Sequence, residues 1–540
     1  MLVRPALSAA VAVIAISSAA RAAAVPPHAV VLRHPPAAGT LTTATFAWRP
    51  ARPAARCRLD AGRWLACRSP RTYSRLRPGR HRFLVRLGPR GRIAAYAWTI
   101  RRVPLPRPAP RPGPTATGEP GAAAAAVQVG PAGPAPPARL ADHVILVDWD
   151  GFAPSLLQRG YHTPTLDALA ARGSLSLDAQ STFTSFSNPA RASMSTGAYP
   201  EAHGNVAWTW DSATNTVLGQ TRELDAESIA QSLARDPAGL TEASVQWYMV
   251  QDHGVAYGDP SHLYVQPGGS WGHRVDTAIQ ILHRQPVSSN GQTVTVPRIP
   301  DFLAVYSSDP DELEHSEGTN GPDVQAMVEQ HDQDLGRLVQ ATRDVGIFDH
   351  TAFVLTADHG MSNWSRTALQ TLKDAVASAG FPYEVLYAGG HAAADTQVIV
   401  DPAVRVAYIH LRGDAATDVG RQKVRQALAN HPEFTDVLGP SDLAALRAGG
   451  KLGDLVVEAQ PPWSFAMADV ASGEKGAHGS RAELGVPLLL SGAGIGRTPP
   501  PDPGLVDVAP TIAALLHAPC PANAQGRALT EAFTAPAACT

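Results

Sequence analysis

The sequence predicts an α/β protein: an α/β/α sandwich around a mostly parallel central sheet, preceded by a small β domain. Three observations carry that expectation. From about residue 140 onward, apolar strand-like runs alternate with amphipathic helical ones. Acidic and histidine residues follow several of those strand ends, where open parallel sheets gather ligands. Residues 28–102 instead show short alternating segments broken by turn signals.

The N-terminus opens with Arg4, an apolar stretch from Ala6 to Ala20 and the small-x-small triplet Ala20-Arg21-Ala22, a signal-peptide pattern over residues 1–24. An uncleaved membrane anchor is the other reading of this stretch. Both place the rest of the chain outside the cytoplasm, secreted or held at the cell surface. No later apolar run suffices to span a bilayer, so no transmembrane segment remains after signal cleavage. Cysteine usage agrees: Cys57, Cys67, Cys520 and Cys539 are the four present, and two local disulfides are the simplest of the three possible connectivities. No CxxC or cysteine–histidine cluster supports thiolate metal binding or thiol catalysis.

Within residues 28–102, Thr45–Trp48 and Arg82–Leu87 read as strands separated by turn signals such as Ala61-Gly62 and Pro78-Gly79. Ala94–Ile100 sets Tyr96, Trp98 and Ile100 on one face. The run from Cys57 through Asp60, Trp64 and Cys67 to Tyr73 resembles bacterial immunoglobulin-like repeats of surface proteins. The net charge of −2 hides an asymmetry: this segment holds seventeen Arg, no Lys and one acid, Asp60, whereas residues 140–540 hold 23 basic and 45 acidic residues. A basic unit joined to an acidic one suits either an anionic cell-wall or surface polymer, or docking between the two. No nucleic-acid motif accompanies the charge. Residues 103–139, dominated by Pro, Ala and Gly, read as an extended linker.

The catalytic body is expected over 140–540. His143–Val147, Ser244–Met249, Phe302–Tyr306 and Ala352–Leu355 are its strand candidates. Pro164–Arg172 reads as a helix with Leu166 and Leu169 inward, and Asp323–Val345 as a long one burying Val324, Met327, Val328, Leu335 and Leu338.

Five elements carry potential chemistry, and each has an ordinary structural reading beside it. Asp148-Trp149-Asp150-Gly151 is a carboxylate turn after an apolar strand, or simply a turn. Ser187 in Ser187-Asn188-Pro189-Ala190-Arg191 can cap the next helix, facing free N–H groups where a phosphoryl group would be stabilised. Arg191 either turns toward that anion or sits on the surface. Asp311 and His315, four apart, point at one ion if helical; otherwise they belong to an acidic surface loop. Asp358-His359-Gly360 follows a strand, and His478 lies between glycines in Gly476-Ala477-His478-Gly479. Together, three carboxylates and three imidazoles suit two borderline divalent ions, most naturally Zn²⁺. Such a pair serves in-line phosphoryl displacement.

With these residues in place, the sequence from about Asp142 to Ala532 resembles the alkaline phosphatase superfamily, and more closely its type I phosphodiesterase/nucleotide pyrophosphatase branch. The anchors are Ile145–Phe152, Thr196–Gly204, the Asp311/His315 pair, Asp358–Met361, His478-Gly479, and Val508–Ile512 with Gly526-Arg527. The resemblance implies an alkaline-phosphatase-like fold and a metal-dependent phosphoric ester hydrolase. It implies one ion held by Asp311, His315 and His478, and the other by Asp150, Asp358, His359 and the Ser187 oxygen. The nucleophile follows from the family position nine residues before the Thr of the Thr-Gly pair, Ser187 counted from Thr196. On this reading Ser187 attacks a small-molecule phosphate ester, a nucleotide among the candidates, through a phosphoseryl intermediate.

Two departures qualify the resemblance. Where the family has Phe after the nucleophile and a later Asn at the phosphoryl oxygen, this chain has Asn188 and Trp208. Asn188 or Asn205 is the replacement donor, or the pocket takes a different ester; Trp208, Trp210, Trp247, Tyr248 and Trp463 are candidates for a leaving-group wall. Ser187-x-Pro189-x-Arg191 also matches sulfatases, which typically carry an oxygen-rich, calcium-like site rather than these imidazoles. A phosphomonoesterase and a non-enzymatic cell-wall binding protein complete the alternatives. Gly453–Phe465 is expected to form a pocket rim.

Overall fold

A computed structural model describes residues 139–540 throughout and, before them, residues 30–33, 38–39, 44–49, 55–60, 62–68, 71–73, 76–77, 79–87 and 93–100. The signal-peptide expectation over 1–24, and the linker expectation apart from Arg139, lie outside the described residues. The chain divides into two compact units, one up to Gln128 and one from Val129.

The first unit is all β among its described residues. Three strands (Val30–Arg33, Ala44–Arg49 and Arg71–Tyr73) form one sheet. A second runs in the order Ala38–Gly39, Ile93–Ile100, Gly79–Leu87, Ala55–Leu59, Leu65–Cys67. Period-2 alternation sends Cys57, Phe83, Val85, Leu87, Trp98 and Ile100 into a core around Phe46, which stacks on Phe83 at 4.0 Å. Cys57 and Cys67 are bonded, with Cα atoms 5.8 Å apart, and Cys520 is bonded to Cys539.

The second unit is built on a seven-stranded sheet in the order Ser174–Gln180, Gly485–Gly492, Thr351–Thr356, His143–Trp149, Phe302–Ser307, Glu242–Val245, His262–Val265. The last five of these run parallel; only Gly485–Gly492 pairs antiparallel, with both its neighbours. Thr351–Thr356 and Phe302–Ser307 are buried along their whole length, which requires cover on both faces. The helices supply it in two packed groups. Trp271–Leu282 lies with Val324–Asp344 and Pro164–Arg172, while Ser187–Thr196 lies with Val508–Leu515 and Ile229–Ala234.

Element limits differ from expectation in two places. The run expected as a strand over Ser244–Met249 is split: the strand is Glu242–Val245, and Tyr248–Val250 is a 3₁₀ turn. Gln246 between them has φ 60°, which breaks the extended run. The second place is a smaller sheet that strand-end reasoning did not anticipate, in the order Tyr383–Val385, Val398–Ala403, Val406–Leu411, Leu455–Ala459, Phe434–Leu438. Its pairings are antiparallel except the first. Gly453–Phe465 is therefore not a rim: Leu455–Ala459 is a buried strand of this sheet. One face packs under Leu372, Val376, Val424 and Leu428. The other, through Val406, Tyr408 and Val456, packs on Phe183 and Phe186, the segment leading into Ser187.

Candidate active site

Three adjacent parallel strands deliver their following residues to one end of the central sheet. His143–Trp149 leads into Asp150, Phe302–Ser307 into the helix Asp309–Glu317 with Asp311 and His315, and Thr351–Thr356 into Asp358-His359. The approach of these loops is close. Gly151 has φ 70°, donates its N–H to Asp358 Oδ1 at 3.0 Å, and a Cβ there would lie 3.2 Å from Asp311 Cα. His478 arrives by a different route: Lys475–Ala477 pairs antiparallel with Ser362–Trp364, the strand just after His359.

Ser187 is the first residue of its helix rather than the cap. Phe186 is extended and its carbonyl accepts the first helical bond, from the Ala190 N–H, so the Ser187 hydroxyl is not spent on the helix end. It lies instead 3.3 Å from His359 Nε2.

All three imidazoles are oriented the same way. Nδ1 of His359 donates to the Gly360 carbonyl at 2.9 Å, that of His315 to Gly476 at 2.9 Å, and that of His478 to Ser185 at 2.8 Å. A carbonyl can only accept, so Nδ1 holds the proton and the Nε2 lone pair faces the site. Opposite those lone pairs stand carboxylate oxygens. His315 Nε2 and Asp311 Oδ1 are 3.1 Å apart, His478 Nε2 and Asp311 Oδ1 3.4 Å, His359 Nε2 and Asp150 Oδ1 3.3 Å, His359 Nε2 and Asp358 Oδ2 3.2 Å. Acceptors facing acceptors repel unless a cation lies between them, or a proton on Nε2 as at His359 in the ion-free protein. Ligands at about 2.0 Å from a tetrahedral ion are separated by about 3.3 Å, which is the spacing seen.

The hydrogen-bond inventory supports the same arrangement. Asp150 Oδ1, Asp311 Oδ1 and Asp358 Oδ2 are buried oxygens without a hydrogen-bond donor. Asp358 Oδ2 does have Arg191 Nη1 at 2.9 Å as an ion pair. Among the described residues the ligand atoms of Asp150, Asp311 and His359 lie close enough together to hold an ion, with Asp358 Oδ2 3.2 Å from His359 Nε2 beside them, and so do those of Asp311, His315 and His478. The first set is closed off, with Asp358 and His359 fully buried, whereas the His315 side chain is 40% exposed and opens the second to solvent. Burial opposes a charge on His359, but Asp358 and Asp150 outweigh it and push that imidazole up to about 10. The pocket thus draws positive charge.

Arg191 does not turn toward a bound anion, nor does it lie on the surface. It is wholly buried and faces three carboxylates: Nε bonds Asp148 at 2.6 Å, Nη2 lies 3.1 Å from Asp150, and Nη1 2.9 Å from Asp358. Against three carboxylates, one guanidinium leaves a surplus of negative charge suited to a dication. Asp148 also accepts from Trp247 Nε1 at 3.1 Å, and Tyr306 donates to Asp150 Oδ2 at 2.6 Å. Of these supporting residues Tyr306 has no place in the sequence reading, and Asp148 and Trp247 have other roles there, although a signal existed. Asp148 and Asp150 are two apart at a strand end and so share a face, and Tyr306 is the register partner of Asp148.

Asn188 gives one amide hydrogen to the Thr221 carbonyl at 2.5 Å and accepts from Tyr248 at 2.9 Å, keeping one N–H uncommitted. Asn205 gives its amide hydrogens to the Thr221 and Glu223 carbonyls and has none left. Of the aromatic candidates, Trp247 is core, Trp208 packs edge-on to Phe186 at 4.8 Å, and Trp210 and Trp463 sit on the smaller sheet beside His410 and Arg366.

Comparison with known proteins bears on this geometry. The profile of the family described as type I phosphodiesterase/nucleotide pyrophosphatase matches residues 144–481. Ectonucleotide pyrophosphatase/phosphodiesterase family member 7 of Rattus norvegicus is 25% identical over 241 residues, 42% of this chain and 51% of that protein. The bis(5'-adenosyl)-triphosphatase ENPP4 of Bos taurus is 25% identical over 230 residues, 41% of this chain and 48% of that one. The chain thus matches about half the length of these curated relatives. Among solved structures, murine ectonucleotide pyrophosphatase/phosphodiesterase 5, an inactive variant in complex with AMP, superposes with a TM-score of 0.55 at 18% identity. That alignment covers 70% of this chain and 96% of that one, and shows a shared fold.

Proposed function

Since the chain belongs to the type I phosphodiesterase/nucleotide pyrophosphatase family, we propose that it is a secreted, metal-dependent phosphodiesterase that transfers a phosphoryl group to Ser187. The observation that carries this is the set of orphaned carboxylate oxygens facing imidazole lone pairs at 3.1–3.4 Å, with the Ser187 hydroxyl 3.3 Å from one of those imidazoles. When bound, two divalent ions, zinc by the donor set, would supply Lewis acidity at the attacking and leaving oxygens.

The chain's own residues do the rest. Asp150, Asp358 and His359 would hold the ion beside Ser187, and Asp311, His315 and His478 the more open one. The Ser187 oxygen displaces the leaving alcohol or nucleotide at phosphorus, and water then takes the phosphoryl group from the serine. The first-turn N–H groups of the Ser187 helix and the spare amide N–H of Asn188 are placed to bind equatorial oxygens. Arg191 acts behind them, positioning Asp150 and Asp358. A diester is the favoured substrate because Phe186 and Trp208 give an apolar flank next to His478, which Phe186 meets edge-on at 5.2 Å. Nucleotide diesters belong to this class. Secretion is supported by the N-terminal apolar stretch and by two disulfides; among the described residues no helix is long and apolar enough to cross a membrane.

The test is a panel of bis- and mono-nitrophenyl phosphates, a nucleotide diester and a nitrophenyl sulfate, with metal content measured in parallel. The diesters should dominate, chelator should abolish turnover, and Ser187→Ala should lower it by at least about 10³-fold with metal retained. A chelator-insensitive dominant activity, or a preference for the sulfate, would sink the reading.

A further inference from the structure

We propose that the outer face of the five-stranded sheet in the first unit is a binding surface for a linear phosphodiester polymer, gripped through its backbone phosphates by Arg56, Arg58, Arg80, Arg82 and Arg86. The pairing register puts these five on one face. Ala55 and Leu87 are partners, as are Cys57 and Val85, and all four point into the core. The intervening positions therefore project the other way: Arg56 opposite Arg86, Arg58 opposite Leu84, and, on the neighbouring strand pair, Arg80 opposite Thr99 and Arg82 opposite Ala97.

Like charges placed directly across a strand pair are destabilising unless something compensates. Among the described residues no carboxylate does so. Asp60, the one acid in residues 28–102, is already occupied by the Arg82 backbone N–H at 2.7 Å and by His81 at 2.9 Å. Among the described residues none of the five guanidiniums has an ion-pair partner.

Three of the arginines are nevertheless held in place. The guanidinium carbons of Arg58 and Arg86 lie 5.3 and 4.7 Å from the centre of the Trp64 ring, and Arg56 Nη2 donates to the Trp64 carbonyl at 3.2 Å. Trp64 sits between Cys57 and Cys67, whose disulfide closes this hairpin. Buried Nε atoms on Arg58 and Arg86 still lack a hydrogen-bond partner. The result is a preorganised array of forked donors without a carboxylate partner, which lowers the ordering cost of binding an anion.

The array is extended rather than concave. Successive arginines along a strand are about 6.7 Å apart, and neighbouring strands about 4.8 Å. That suits charges repeated along a flexible chain. Stacking on bases is not what it is built for, because the one tryptophan here, Trp64, already meets two guanidiniums. The choice of a phosphodiester over other polyanions rests on the proposed function, since the second unit would act on that bond.

Binding is measured on the full chain carrying Ser187→Ala, so that hydrolysis does not enter the readout. The probe is poly(glycerol phosphate) of defined length, with heparin and anionic vesicles as competitors. A plot of log affinity against log salt should fall with a slope of about −3, as four or five single-strand phosphate contacts require. Arg56→Glu/Arg58→Glu/Arg82→Glu/Arg86→Glu should weaken binding at least 100-fold, and the matching Gln set at least 10-fold. Arg284→Glu/Arg497→Glu, at exposed arginines of the second unit, should change it less than 3-fold. In the Ser187 background the Gln set should hydrolyse a small nitrophenyl diester at the unaltered rate. An intact Cys57–Cys67 bond by mass spectrometry, with retained near-UV dichroism, reports folding of each variant. Equal binding by the face variants, a flat salt dependence, or tighter capture of heparin or vesicles would overturn the proposal. Tight polymer binding by a chain that hydrolyses no ester would overturn the proposed function and leave this surface standing.

Discussion

Arg191 is the residue on which most of the buried charge depends. Removing it as Arg191→Met would leave Asp148, Asp150 and Asp358 facing one another without a guanidinium, and breaking a buried ionic cluster costs about 3–5 kcal/mol. Urea denaturation of metal-free protein should show that loss, with zinc restoring part of it because a dication can take over Asp150 and Asp358. A loss below about 1 kcal/mol would mean the carboxylates are neutralised in another way. His203 presents the opposite case. Burial lowers it to about 3, and the Asn205 N–H donates to its Nδ1 at 3.1 Å, so the ring is held neutral. Protonation would destroy that acceptor. The folded value lies below the unfolded 6.5, so the unfolded chain takes the proton first. The contribution is complete above about pH 6.5 and falls, as pH drops toward about 3, by up to about 1.4 kcal/mol per unit. His203→Gln should flatten the acid limb of a stability–pH curve by that slope; an unchanged limb would remove His203 from it.

At the scale of elements, the site is made by where strands stop. Asp150, Asp358 and His359 stand just past two neighbouring parallel strands, and Asp311 and His315 ride on the helix following a third. His478 depends on a loop with no tolerance. Gly479 has φ 126°, and a Cβ there would lie 2.3 Å from the Phe186 ring. Gly479→Ala must displace either Phe186, next to Ser187, or the loop that carries His478. We expect at least about a 10-fold fall in kcat/KM together with weaker retention of the more open metal, read by metal analysis after dialysis. Retained metal with unchanged rate would show that the loop yields harmlessly. These elements were legible in the sequence because strand, turn and ligand lie within a few residues of one another. Local pattern also found the helix Pro164–Arg172, with Leu166 and Leu169 buried as expected. What was not legible is non-local. Arg191 meets Asp148 across 43 positions, and the smaller sheet assembles strands between Tyr383 and Ala459 whose partners no periodicity reveals. Nor could spacing tell that its inner face would brace Phe183 and Phe186.

At the scale of the molecule, bound metal would be part of the fold. On the proposed reading, ligand oxygens drawn from three strand ends, and His478 from a fourth segment, would be tied through metal, so its removal should loosen the sheet's whole C-terminal edge. For one site filled at about a hundred times its Kd, binding stabilises by about 2.7 kcal/mol. Chelation should therefore lower the Tm of the second unit and leave the all-β unit, with its own disulfide, unaffected; two resolved calorimetric transitions would report this separately. An identical fall in both would argue against independent units.

The His359 and His478 rings lie face to face, 3.5 Å between centres and 9° from parallel, although the proposed function gives them to different ions. Neither ring can tilt without moving the other. Two ions held there would be electronically in earshot of each other, and one entering should perturb the ligand field at its neighbour. With cobalt as the reporter, the visible spectrum at one equivalent should differ in shape, and not only in intensity, from that at two.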